Sequence, residues 1–226
     1  MSYSGHTIGR PKLKPLHTLL SLIAIAIVVV VPHLGLIPNF GYSIPILLFV
    51  WVCLKLSGER FADIGFRPKS FRLKAALIGA VSAVAILSIM QLLVLPALDY
   101  IFEFDPIELS LHEFLKANPA QFLFIIAMGW LVGGLYEELV FHGFIFTRLE
   151  MIIPGKHSTA IGFVASSLIF GAYHHQLGAV GAFNALVVGM VYQGLFLYFR
   201  RDLWASIVCH GVYNTMVFTM IYLELI

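Results

Sequence analysis

Ala120-Gln-Phe-Leu-Phe-Ile-Ile-Ala-Met-Gly-Trp130-Leu-Val-Gly-Gly-Leu-Tyr-Glu137-Glu138-Leu-Val-Phe-His142-Gly-Phe-Ile-Phe-Thr-Arg148-Leu149 is the stretch from which the architecture follows. A helix of this length, at 1.5 Å per residue, exceeds the roughly 30 Å thickness of a bilayer's hydrocarbon core. Before Arg148 its only carboxyl and imidazole side chains are Glu137, Glu138 and His142. A charge at bilayer depth costs about 2.5–3.5 kcal/mol on insertion scales, so such groups face the interior of a helix bundle and mark function. Adjacent residues of an α-helix point about 100° apart, so the two glutamates take different directions and different roles. Glu138 and His142, four apart, share a face on which imidazole and carboxylate can pair, leaving Glu137 to face a cavity as a base. The competing reading is a structural polar knot between helices.

Two further apolar segments carry polar groups. In 158–175 the sequence Phe170-Gly-Ala-Tyr-His174-His175 puts Phe170 and His174 on one face, while His175 and Gln176 suit a helix end. In 203–224, His210 and Asn214 form a second pair four residues apart. Carboxylates serve as bases or metal ligands, imidazoles as ligands or hydrogen-bond partners, and a carboxamide stabilises an oxyanion, so these are the residue types of hydrolysis. From the helix rise, His210 lies about 10 Å from Leu203, Glu137 about 18 Å from the cytoplasmic end of its span, and His174 some 20 Å along its own. The three meet only if the span ending at His174 begins late or tilts.

The rest of the chain fits a membrane setting. Of 226 residues, 60% are hydrophobic and 12% charged, with a mean hydropathy of +0.92. That composition excludes an ordinary soluble domain and leaves room for about seven spans of roughly 20 residues. Hydropathy places them at 16–37, 42–57, 73–96, 120–149, 158–175, 178–199 and 203–224. The fold class expected is therefore all-α, a polytopic transmembrane helix bundle forming a single integral membrane domain over 1–226. Its spans within 1–119 are variable in character, and its core is 120–220. Arg10, Lys12 and Lys14, the run from Lys55 to Lys74, Arg148 with Lys156, and Arg200 with Arg201 all fall on one side, so the positive-inside rule puts the N-terminus in the cytoplasm. The loop 97–119 on the other side is acidic and contains a stretch, Ile107 to Leu115, expected to lie on the membrane surface. The first apolar run lacks a small-residue cleavage site and reads as an uncleaved helix. Cys53 and Cys209 sit inside apolar runs as small hydrophobes. A net charge of +2, spread over short loops, gives no nucleic-acid partner.

Taken in order, Glu137-Glu138 with His142, Phe170 with His174, and His210 with Asn214 resemble the core of the CAAX protease and bacteriocin-processing family (CPBP, also called Abi) of intramembrane proteases. Its motifs are E-E-x-x-x-R, F-x-x-x-H and H-x-x-x-N. The run Gly194 to His210, and Asp63-Ile-Gly-Phe-Arg-Pro68 before the core, are similar to family segments as well. One position departs: His142 stands where the family carries arginine, and it cannot make arginine's fixed bidentate pair. The resemblance implies a peptidase in which Glu137 activates water, His174 positions it, His210 and Asn214 stabilise the oxyanion, and Glu138 with His142 holds Glu137. It implies a peptide or protein substrate at a membrane-embedded or lipidated end, a prenylated CAAX peptide in eukaryotic relatives, with the lipid bilayer as surroundings. The compact chain suits the cell membrane of a prokaryote.

The family has been described both as metalloproteases and as metal-independent glutamate proteases. Glu137, His174 and His210 form a plausible zinc set, yet the H-E-x-x-H signature is absent. Two alternatives stand beside hydrolysis. One is a non-catalytic scaffold or bacteriocin-immunity protein of the same fold, a reading that rests on His142. The other is a transporter with a proton relay, which an internal repeat or interrupted helices would favour and which this sequence does not show.

Overall fold

The computed structural model describes residues 15–37, 39–102 and 118–225. Arg10, Lys12, Lys14, Lys116 and the expected surface segment Ile107 to Leu115 lie outside the described residues. Within them every regular element is helical, and seven helices answer to the seven expected segments. They are α1 (Leu16–Leu34), α2 (Phe40–Leu56), α3 (Leu73–Ile101), α4 (Pro119–Ile152), α5 (Ser158–Tyr173), α6 (His175–Tyr198) and α7 (Trp204–Tyr222). α1, α3, α4 and α6 are long and apolar enough to cross a membrane, whereas α2 and α5 are shorter apolar helices. α7 is diluted by His210, Asn214, Thr215 and Thr219. The third span is longer than expected, since helix continues past residue 96 to Ile101.

The outer surface is that of a protein in lipid. Leu20, Leu48, Val81, Leu92, Leu123 and Leu168 are each more than half exposed, while Glu138 and His142 are fully buried. Polar groups inside and leucines outside is the arrangement a hydrocarbon solvent selects. The chain is an integral membrane helix bundle.

α7 is the central post, packed along α3, α4 and α6. Its contact with α4 is close because α4 presents glycines there: a Cβ on Gly134 would stand 3.1 Å from the Ile207 carbonyl oxygen, and one on Gly133 only 2.3 Å from Asn214 Nδ2. Small residues let membrane helices approach in this way. Trp130 Nε1 adds a hydrogen bond to Thr215 Oγ1 at 3.0 Å across the same contact.

The connector between α2 and α3 explains the Asp63 to Pro68 motif. The Asp63 carboxylate accepts from the Arg60 backbone N–H at 2.8 Å and caps a short turn. Gly65 then turns the chain with φ +103, a conformation other residues rarely adopt, and its carbonyl accepts from Leu203 N at 3.1 Å. Trp204 Nε1 donates to the Arg67 carbonyl at 2.9 Å. The motif is thus a wedge beneath the start of α7, and Leu203 and Ile64 are fully buried against it. At the same end Arg148, 3% exposed, pairs with Glu59, and Arg201 Nη2 donates to Glu150 Oε1 at 2.7 Å.

Residues Gly129–Ile145 of α4 are π-helical rather than α-helical. A π-helix carries more residues per turn, yet Glu138 and His142, four apart, still approach to 3.8 Å.

Candidate active site

Glu137 points inward from the middle of α4 with its side chain 10% exposed. Its Oε2 is 3.7 Å from His174 Nε2 and 3.8 Å from His210 Nε2. The three side chains whose meeting the helix depths left open therefore converge. The start of α7 at Leu203 is fully buried on the wedge of 61–68, and α5 ends at Tyr173, so His174 sits just past the helix terminus.

The histidines are held from behind. His174 Nδ1–H donates to the Phe170 carbonyl at 2.8 Å. Since a carbonyl can only accept, Nδ1 carries the hydrogen, and in the neutral ring the Nε2 lone pair is turned to Glu137. His210 is stacked on Tyr192, with ring centroids 4.5 Å apart and planes 17° off parallel. Its Nδ1 is 2.9 Å from Glu138 Oε1. Phe170 packs edge-on against both catalytic-type imidazoles, with centroids 4.6 Å from His174 and 6.1 Å from His210. Asn214 Nδ2 donates one hydrogen to the Gly129 carbonyl at 3.2 Å, which leaves its second N–H.

Glu138 and His142, four apart, do come together on one face as expected, without a direct hydrogen bond between them. Their closest approach, Glu138 Oε1 to His142 Nε2, is 3.8 Å, and His142 Nε2 makes no hydrogen bond. The hydrogen-bond partner of Glu138 is His210 of α7. His142 instead bonds through Nδ1 to Gln193 Oε1 of α6 at 2.9 Å, and Ser166 Oγ of α5 donates to that same oxygen at 3.3 Å. Gln193 is fully buried and was missed from the sequence, although a lone carboxamide inside an apolar span was the available signal. Tyr42 and Tyr173 were missed also; both lie within electrostatic reach of Glu137.

Among the described residues no group of three or more His, Cys, Asp or Glu side chains is arranged to hold a metal ion. Glu137, His174 and His210 approach one another without forming a ready zinc ligand set.

Residues 119–216 match the model of the family Rce1-like, type II CAAX prenyl endopeptidase. Over these residues, the Rce1-like core, the chain is similar to that family. The match opens at the start of α4 and closes two residues past Asn214, so it contains Glu137, Glu138, His142, Phe170, His174, His210 and Asn214. The Rce1-like family is proteolytic, and it points to a peptide substrate met in a lipid environment. α1 to α3 lie outside the Rce1-like core. No curated protein and no solved structure matches the chain.

Proposed function

We propose that the protein is an intramembrane endopeptidase that hydrolyses a peptide bond near a membrane-embedded or lipidated substrate end, a prenylated CAAX-type end being the form to try first. The observation that carries this reading is the spacing at Glu137: a carboxylate oxygen 3.7 and 3.8 Å from two imidazole nitrogens. These separations exceed a direct hydrogen bond and suit groups that act through one shared oxygen.

In the proposed reaction, Glu137 takes a proton from water as its oxygen bonds to the substrate carbonyl carbon. The His174 Nε2 lone pair accepts the other hydrogen of that water and orients it. Negative charge then develops on the carbonyl oxygen, where His210 Nε2–H and the second N–H of Asn214 donate. Collapse breaks the C–N bond, and Glu137 returns its proton to the leaving amine. For His210 Nε2 to carry a hydrogen in a neutral ring, Nδ1 must accept, so the proton of the bond at 2.9 Å must reside on Glu138. In this reading Glu138 is a neutral donor that sets the His210 tautomer, and Gln193 with His142 packs behind it. The setting proposed is a prokaryotic cell membrane.

The test is incubation of the purified protein with a prenylated CAAX peptide and its unprenylated form in H2-18O, with and without chelator, and mass spectrometry of the products. Hydrolysis places one 18O in the new carboxylate. Binding of either peptide without a cut, under all conditions, would overturn the protease reading in favour of a non-catalytic scaffold.

A further inference from the structure

Beside the glutamate and histidines lies a cleft of about 190 Å³ lined by Pro32, His33, Tyr42, Tyr173 and Gln176. It is smaller than the roughly 300–1,000 Å³ of sites that enclose drug-sized ligands, so it suits a short extended stretch of peptide. Its walls end in hydroxyl, imidazole and carboxamide groups, which are partners for a peptide backbone. Tyr173 immediately precedes His174, Tyr42 and Tyr173 lie within electrostatic reach of Glu137, and His33 lies within the same reach of His174. The cleft therefore adjoins the proposed reaction centre. Pro32, His33 and Tyr42 come from α1 and from the turn that opens α2, outside the Rce1-like core.

The position of this cleft along the membrane normal follows from the helices that reach it. Every described Lys and Arg falls within 55–74, 148–156 or 200–201, the connectors after α2, α4 and α6. α2 runs from Tyr42 to Lys55, and α5 rises from just after Lys156 to Tyr173; at 1.5 Å per residue each separates the cleft from those cations by about 20 Å. Two helices of independent sequence give the same answer. The cations mark the cytoplasmic face by the positive-inside rule.

We propose that the peptide reaches Glu137 through this cleft from the extracytoplasmic face, and that the substrate class is accordingly peptide ends presented on that side of the bilayer. The proposal rests on the protease reading for its substrate but not for its sidedness. Two arms keep them apart. In the first, Gln176→Cys and Lys69→Cys variants are treated with a membrane-impermeant maleimide in intact cells and after permeabilisation, the parent chain with Cys53 and Cys209 serving as the blank. Labelling of Gln176→Cys in intact cells, with Lys69→Cys reacting only after permeabilisation, is the expected result. The reverse pattern, or a Gln176→Cys that labels in neither state, overturns the proposal. In the second, right-side-out and inside-out vesicles holding the wild-type protein receive the same peptide. Cleavage in right-side-out vesicles only is expected, and cleavage in inside-out vesicles only overturns the route while sparing the protease. Absence of cleavage even in detergent contradicts the protease reading, and the labelling arm still decides the face.

Discussion

Glu138 is fully buried, and one of its oxygens is 2.9 Å from His210 Nδ1. If its role is to hold a proton for that bond, a carboxamide can replace it, since the glutamine N–H donates where the acid O–H did. Glu138→Gln is expected to retain cleavage within about tenfold while Glu138→Leu loses it, a contrast of at least 1.4 kcal/mol in transition-state stabilisation at about tenfold. Equal loss in both variants would show that the charged carboxylate is required. His142 and Gln193 form the adjoining buried pair, and their thermal unfolding in detergent should be coupled. His142→Ala, Gln193→Ala and the double variant are expected to give an interaction energy of about 0.5–3 kcal/mol, and strict additivity would contradict the pairing. Glu137, His174 and His210 were legible because ionisable groups in apolar segments are costly enough to stand out. The hydrogen bond of Glu138 to His210 was not legible, because it joins two helices across 72 positions of sequence, which no local pattern encodes.

The contact of α4 with α7 brings Glu137 to His210, and its closeness depends on particular glycines. A Cβ at Gly133 would stand 2.3 Å from Asn214 Nδ2 and 3.1 Å from His210 Nε2, whereas one at Gly194 on α6 meets nothing within 4 Å. Gly133→Ala is therefore expected to displace both groups and abolish cleavage. Gly194→Ala should leave cleavage unchanged and gain up to about 1 kcal/mol of helix propensity, read as an equal or higher unfolding temperature. If both variants behave alike, the close packing of α4 on α7 is not what assembles the site. The order and number of the helices could be read from hydropathy, since each apolar run ends at a cluster of charged or turn residues. The seating of the first turn of α7 could not, because Leu203 N bonds to the Gly65 carbonyl, a contact across 138 positions of sequence separation that no local pattern encodes.

At the scale of the whole molecule, the cationic end is braced by part-buried ion pairs while the opposite end carries the cleft. Arg148 is 3% exposed and depends on Glu59 from the connector after α2. Removing the carboxylate leaves the Arg148 charge without its partner in a part-buried setting, so Glu59→Ala is expected to destabilise by about 1–3 kcal/mol, visible as a lowered unfolding temperature. An unchanged temperature would mean that water or headgroups replace the carboxylate. The site itself stands or falls on Glu137. The decisive measurement is the rate of peptide cleavage by Glu137→Gln relative to wild type, with unfolding temperature recorded on the same preparations. Loss of the general base predicts a fall of about 100-fold or more at unchanged unfolding temperature. A variant that cleaves at the wild-type rate would contradict glutamate-activated hydrolysis.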